Sequence, residues 1–120
     1  IRIHEDQPST DNFTLEINGH VVADKYKGRS DIRFKENIAP IEDAAEIINR
    51  MNGVSYQMRG DKKNSFGFIA QDMKEIIPEL VEMDPNGFMT ISYIEIIPFL
   101  VENNKRLNQE INLLKEKRVI

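Results

Sequence analysis

Apolar and polar positions alternate over Phe13-Thr14-Leu15-Glu16-Ile17. Asn18-Gly19 then separates this run from His20-Val21-Val22-Ala23. Two β-prone runs around Asn-Gly predict a hairpin over 13–24. A lone hairpin is marginal in water, so this one needs a neighbour to lean on. Before it, residues 1–12 are polar, and Pro8-Ser9-Thr10-Asp11-Asn12 reads as a turn or linker. After it, residues 24–37 are dense in charge. They predict a connector with little secondary structure of its own, and a boundary belongs there.

The period then changes. Ala44, Ile47, Ile48 and Met51 share one face and predict a helix over 42–52, with Pro40 before it and Gly53 ending it. Val54–Met58 and Ser65–Ala70 read as an antiparallel hairpin around the turn 60–64. Tyr56, Phe66 and Phe68 fall on these strands and are expected in the core. So are the methionines 51, 58, 73, 83 and 89 as filler. Gln71 to Ile77 predicts a short helix stopped by Pro78. Residues 80–83 lead to the turn Asp84-Pro85-Asn86-Gly87, and 88–91 form a short extended run.

From Ser92 to the end the pattern is helical. Ile97, Leu100, Asn104, Leu107, Ile111 and Leu114 repeat at alternating intervals of three and four. That is a heptad seam with Ile97, Asn104 and Ile111 at a and Leu100, Leu107 and Leu114 at d. Polar Asn103, Lys105, Arg106, Asn108, Gln109 and Glu110 surround it. The seam points to parallel self-association; the alternative is an amphipathic helix packed on its own domain. By heptad rules alone Ile at a, Leu at d and one Asn at a favour two strands.

Composition narrows the function classes. The chain has 120 residues, 40% hydrophobic and 30% charged, which suits one small globular domain. Lys plus Arg is 16 against 20 Asp plus Glu, a net charge of −4. No basic excess argues for nucleic acid or an anionic membrane surface. With no Cys and two His, His4 and His20, the chain has no thiolate catalyst, and a multi-His metal site or His triad is not expected. No cofactor and no metal are expected. No apolar run reaches the ~18 residues of a membrane span. The sequence does not start with Met, and a piece of a longer protein is expected.

Few groups remain that could carry chemistry. A Lys can activate a Ser nucleophile when desolvation favours its neutral form. Ser30 and Lys35 are one such pair, but five residues point to opposite faces of a strand and lie about 140° apart around a helix. They meet only if the backbone bends between them, or if each serves another chain. On composition alone the pair reads as a polar Ser and a solvated Lys in a charged linker. Asp72 with Glu75 and Glu79 with Glu82 have the spacing of ordinary surface charge. Gly60-Asp61-Lys62-Lys63 lacks the glycine pattern of a phosphate loop, and the 84–87 turn lacks the ligand spacing of a calcium loop.

Three segments together resemble one family. They are Ser30-Asp31-Ile32-Arg33-Phe34-Lys35-Glu36-Asn37-Ile38, the run Gly67-Phe68-Ile69-Ala70-Gln71-Asp72-Met73-Lys74-Glu75-Ile76-Ile77-Pro78-Glu79-Leu80-Val81, and Ile91-Ser92-Tyr93-Ile94-Glu95-Ile96-Ile97-Pro98. Their order and spacing are similar to the C-terminal intramolecular chaperone auto-processing domain, the peptidase S74 family. That domain is found on phage tail spikes, tail fibres, neck appendages and endosialidases, and a related one occurs in a membrane-bound transcription factor of animals. The resemblance covers roughly residues 28–117.

The resemblance implies an α+β fold: a small mixed domain with β-hairpins and a long C-terminal helix, about 92–117, in a trimeric coiled coil or helix bundle. It implies that residues 1–29 end an upstream fibre or spike and that 30–120 are the chaperone. It implies an autocatalytic serine endopeptidase with Ser30 as nucleophile and Lys35 as general base, and a homotrimer whose partner is the upstream segment of the same chain. The protein is then a tail-appendage precursor assembled in the host cytoplasm, with the cleaved domain released.

Ring size favours the Arg29–Ser30 bond, since Ser30 Oγ reaches the Arg29 carbonyl carbon through a five-membered ring. Water attack assisted by Asp31 would instead cut Ser30–Asp31. Two other readings stand beside this one. One is a purely structural trimerisation module, and the other a processing domain of a transcription factor, which the acidic charge and missing basic stretch disfavour.

Overall fold

The structure, a computed structural model, describes residues 2–5 and 13–118. The chain divides into two compact units, Ile1–Ile38 and Ala39–Ile120.

In the first unit, strand β1 (Arg2–Glu5) pairs antiparallel with β2 (Phe13–Glu16), placing Ile3 opposite Leu15. The hairpin expected over 13–24 does not form. Its first strand is present, but residues 20–23 are not a strand. The reason lies in the turn. A two-residue Asn-Gly turn of the hairpin type needs positive φ at both positions. Only Gly19 has it, at 149°, and Asn18 does not. The chain runs on instead, and Tyr26 Oη donates to the Val21 carbonyl at 2.9 Å. The turn expected at Pro8–Asn12 lies outside the described residues. None of residues 14–38 is buried.

The second unit begins with α1 (Ala44–Arg50), shorter than the 42–52 expected because Met51 leaves the helix with ψ 140°. Strands β3 (Val54–Gln57) and β4 (Asn64–Gly67) pair antiparallel from Val54↔Gly67 to Gln57↔Asn64. At their tip Gly60 has φ 84° and Asp61 Oδ1 accepts from Lys63 N at 3.0 Å, a plain hairpin end. Helix α2 (Ala70–Ile76) stops before Pro78, which opens a 3-10 turn, Pro78–Leu80. Proline suits that first position because no N–H is required there.

Strands β5 (Val81–Met83) and β6 (Met89–Ile91) form a second hairpin from the two extended runs. Asp84 Oδ1 holds its turn by accepting from Asn86 N and Phe88 N, both at 2.9 Å. The C-terminal helical pattern is split. A 3-10 turn, Tyr93–Ile96, precedes α3 (Ile97–Arg118).

Met73, Ile77, Leu80 and Ile96 form the buried cluster, with Ile47, Met51, Phe68, Ile76, Val81, Ile91 and Phe99 packed around it. The second and third motifs of the sequence thus meet in one core. Ser92 N donates to Leu80 O at 2.8 Å and stitches them together. Of the aromatic residues expected inside, Phe68 belongs to this packing, Tyr56 is half-buried, and Phe66 is 79% exposed. Phe66 pairs with Ser55 on the outward face of the β3–β4 ribbon. Two residues apart, Phe66 and Phe68 would share one face of a continuing strand, but β4 ends at Gly67, and Phe68 leaves the strand to pack against the core. Met58 and Met83 are exposed for want of a covering layer, and Met73 is the buried methionine.

Helix α3 meets the body only over its first turns. Phe99, Glu102 and Asn103, spaced i, i+3, i+4, are half-buried on the face toward α1. The seam residues Ile97, Leu100, Leu107, Ile111 and Leu114 are exposed on another face. From Asn104 to Arg118 every residue is exposed. At about 1.5 Å of rise per residue this leaves roughly 22 Å of unsupported helix. The fold is a small mixed α and β domain with short hairpins and a long C-terminal helix, as the pattern predicts.

Candidate active site

Residues 29–35 form a local structure in the first unit. The connector expected there contains one 3-10 turn, Ile32–Phe34. Phe34 N donates to Asp31 O at 3.1 Å and Lys35 N to Ile32 O at 3.0 Å. Asp31 caps the turn, its Oδ1 accepting from Arg33 N at 2.9 Å. An Asp that accepts from the N–H two residues on is the Asx turn, a recurrent way to start a bend.

This bend resolves the spacing problem of Ser30 and Lys35. Neither a strand nor a helix brings i and i+5 together, but a single 3-10 turn between them does. Lys35 Nζ donates to Ser30 Oγ at 2.6 Å within one chain. That separation is within the reach required between a nucleophile and its base. Both residues are exposed.

Two further contacts lie on the same turn as the pair. The Arg33 guanidinium grips the Asp31 carboxylate in a fork, Nε to Oδ1 at 3.0 Å and Nη2 to Oδ2 at 2.9 Å. Hydrogen bonds from the Arg33 side chain and then its backbone N–H hold the Asp31 carboxyl below the ordinary carboxylate range, and the pairing raises the Arg33 pKa. Outside them, Arg29 Cζ stands 5.5 Å from the centre of the Phe34 ring, a cation–π arrangement.

The candidate residues Arg29, Ser30, Asp31 and Lys35 therefore lie together. Arg33 and Phe34 are the two that sequence reasoning passed over. The signal for Arg33 was present as an Asp two residues before a donor of the right shape.

Elsewhere the second and third motifs meet at Gly67 and Tyr93. A Cβ on Gly67 would lie 2.5 Å from Tyr93 Oη, so the bare backbone admits the phenol. That oxygen accepts from Phe68 N at 3.0 Å, and the Phe68 and Tyr93 rings lie 6.1 Å apart. Asp72, Glu75, Glu79 and Glu82 are all exposed. Among the described residues no cluster of His, Asp or Glu is arranged to hold a metal ion, and no helix is long and apolar enough to cross a membrane.

Comparison with known proteins decides the family. Residues 30–82 match the family described as chaperone of endosialidase, peptidase S74. They belong to the chaperone-of-endosialidase family. The family match opens on Ser30 and contains Lys35, Gly67 and the buried Met73.

The relatives agree. The chain is 34% identical over 98 residues to the long tail fiber protein Gp37 of Enterobacteria phage K3, covering 74% of this chain and 8% of that protein. The same figures for Enterobacteria phage T2 are 34% over 98 residues, 74% and 7%. With the protein of the same name from Escherichia phage AR1 it shares 40% over 67 residues, 49% of this chain and 6% of that one. The chain thus spans less than a tenth of the length of these relatives.

Proposed function

We propose that this chaperone-of-endosialidase segment aligns three copies of a phage tail-fibre chain and then cuts itself from the fibre at Ser30. The observation that carries the reading is the 2.6 Å hydrogen bond between Lys35 and Ser30, inside the stretch matched to the family.

In the proposed reaction Lys35 acts as the neutral amine. At the same separation Ser30 Oγ–H donates to Nζ, and Lys35 takes the proton as Oγ attacks the Arg29 carbonyl carbon. A five-membered ring forms. The Arg29–Ser30 C–N bond breaks, and Lys35 returns the proton to the departing Ser30 nitrogen. The product is an ester between the Arg29 acyl group and Ser30 Oγ. Water hydrolyses it, leaving the Arg29 carboxylate and a Ser30 with free amine and hydroxyl. The route through Asp31 is less well supported. Both its carboxylate oxygens are already engaged by Arg33, and a carboxylate held below its ordinary range is a weak base for water.

Assembly enters through burial. Ser30 and Lys35 already meet in one chain, so the partners are not needed to bring them together. Lys35 is exposed, however, and a lysine becomes a base when it is desolvated. The exposed seam of α3 supports self-association, and the family resemblance, against the two-strand heptad rule, makes the assembly a homotrimer that would supply that covering. Joining three chains raises their local concentration before slow, high-contact-order winding of the upstream fibre. Residues 1–29 then belong to the fibre's end and 30–120 to the released chaperone, in a virion tail precursor.

The test is Ser30→Ala, followed by mass spectrometry and a denaturing gel. The variant stays full length and still associates, whereas the wild-type chain yields a fragment beginning at Ser30. A wild-type chain that associates but never yields a fragment identifies a purely structural trimerisation module instead.

A further inference from the structure

We infer that Asp31 and Arg33 are positioning residues for the Ser30–Lys35 pair, a polar clamp that sets the turn on which the two side chains meet. The inference rests on the self-cleavage reading above.

Three observations carry it. First, apolar burial does not hold the turn. None of residues 14–38 is buried, and Ile32 and Phe34 on the turn are 71% and 72% exposed. Apolar packing therefore does not fix the backbone between residues 30 and 35. Second, the turn's own ladder is short, consisting of the bonds from Phe34 N and Lys35 N. The Asp31 carboxylate adds three bonds from a single partner, one to the Arg33 backbone and two to its guanidinium. The cap fixes where the turn starts, and the fork fixes Arg33 back over its own first residue. Third, the contacts overlap on one turn. Asp31 with Arg33 lies inside both Ser30 with Lys35 and Arg29 with Phe34, and these two are staggered by one residue. The side chain beside the scissile carbonyl is held by a ring on the clamped turn.

The clamp touches neither Ser30 Oγ nor Lys35 Nζ in these contacts. It acts by choosing the backbone from which Lys35 reaches Ser30. A lysine side chain has many rotamers, so the fraction of time it spends on Ser30 depends on how well its backbone is placed.

The experiment follows the rate of fragment formation in the full chain for wild type, Asp31→Ala, Asp31→Asn, Arg33→Ala and Arg33→Lys. Asp31→Ala is expected to slow cleavage by on the order of tenfold to a hundredfold, the scale of a small misplacement of reacting groups. Asp31→Asn keeps the cap to Arg33 N through Oδ1 and recovers part of that loss. Arg33→Lys keeps the charge but not the fork and stays slow. A non-catalytic readout runs beside it. In the uncleaved Ser30→Ala chain, adding Asp31→Ala should speed amide exchange at Phe34 and Lys35 severalfold and leave the associated mass unchanged.

Cleavage of Asp31→Ala at the wild-type rate overturns the clamp alone. So does unchanged exchange at those two amides. A wild-type chain that yields no fragment overturns the reading of Ser30 and Lys35, and the clamp's catalytic role with it. Loss of the associated mass in Asp31→Ala shows a general structural role and also overturns the inference.

Discussion

Lys35 reaches Ser30 across 2.6 Å although five positions separate them, and the bend that allows it is a 3-10 turn of three residues. The pairing is local. It draws on no core and on no second chain, only on contacts between residues 29 and 35. The proposed chemistry and the buried core thereby draw on different residues. The buried cluster of the second unit is distinct from the segment that would cut.

The proposed role of Lys35 as base predicts an outcome for Lys35→Arg. Arginine keeps the positive charge and can still donate to Ser30 Oγ, but it does not deprotonate in proteins. Fragment formation should fall by on the order of 10²–10⁴, the usual worth of a positioned base. Gel densitometry over time checks this. Cleavage at the wild-type rate would remove Lys35 from the mechanism.

The proposed association through the exposed seam predicts the effect of Leu107→Asp. Leu107 is 48% exposed in one chain, so the aspartate costs that chain little by itself. In a seam it would place repelling charges at a d position. Sedimentation should show a monomer with unchanged circular dichroism in the globular part, and no fragment should appear. Full cleavage by a proven monomer would sever cleavage from assembly.

The close approach of Tyr93 to Gly67 predicts that Gly67→Ala is destabilising. The added methyl meets Tyr93 Oη, which must move and give up the bond from Phe68 N. A loss of about 1–3 kcal/mol is expected, as for other overpacked sites. Tyr93→Phe removes the same bond without the clash and should cost less, about 0.5–1.5 kcal/mol. Urea denaturation of both variants checks the order.

Most of the second unit was legible in the residues. The 3.6 period of Ala44, Ile47, Ile48 and Met51, Pro78 after a short apolar run, and the heptads after Ile97 each report a local rule. Local rules survive into the fold when tertiary contacts agree with them. The first unit was less legible. Phe13–Glu16 has the alternation of a strand, but alternation does not name a partner. Its partner is Arg2–Glu5, and the Asn18-Gly19 signal failed because Asn18 does not take the backbone angle that the turn requires.

The sequence by itself determined most element types of the second unit, the absence of thiol chemistry, and the three motifs that point to one family. Those features depend on residue identity and short spacing. Only the tertiary structure decided that Gly67 serves Tyr93, that Phe66 faces outward while Met73 is buried, and that Ser30 and Lys35 share one bend. Each of these depends on where the backbone turns in space. At residues 30–35 that turn is set by an Asp31 carboxylate and an Arg33 guanidinium, whose pairing is a matter of geometry and not of composition.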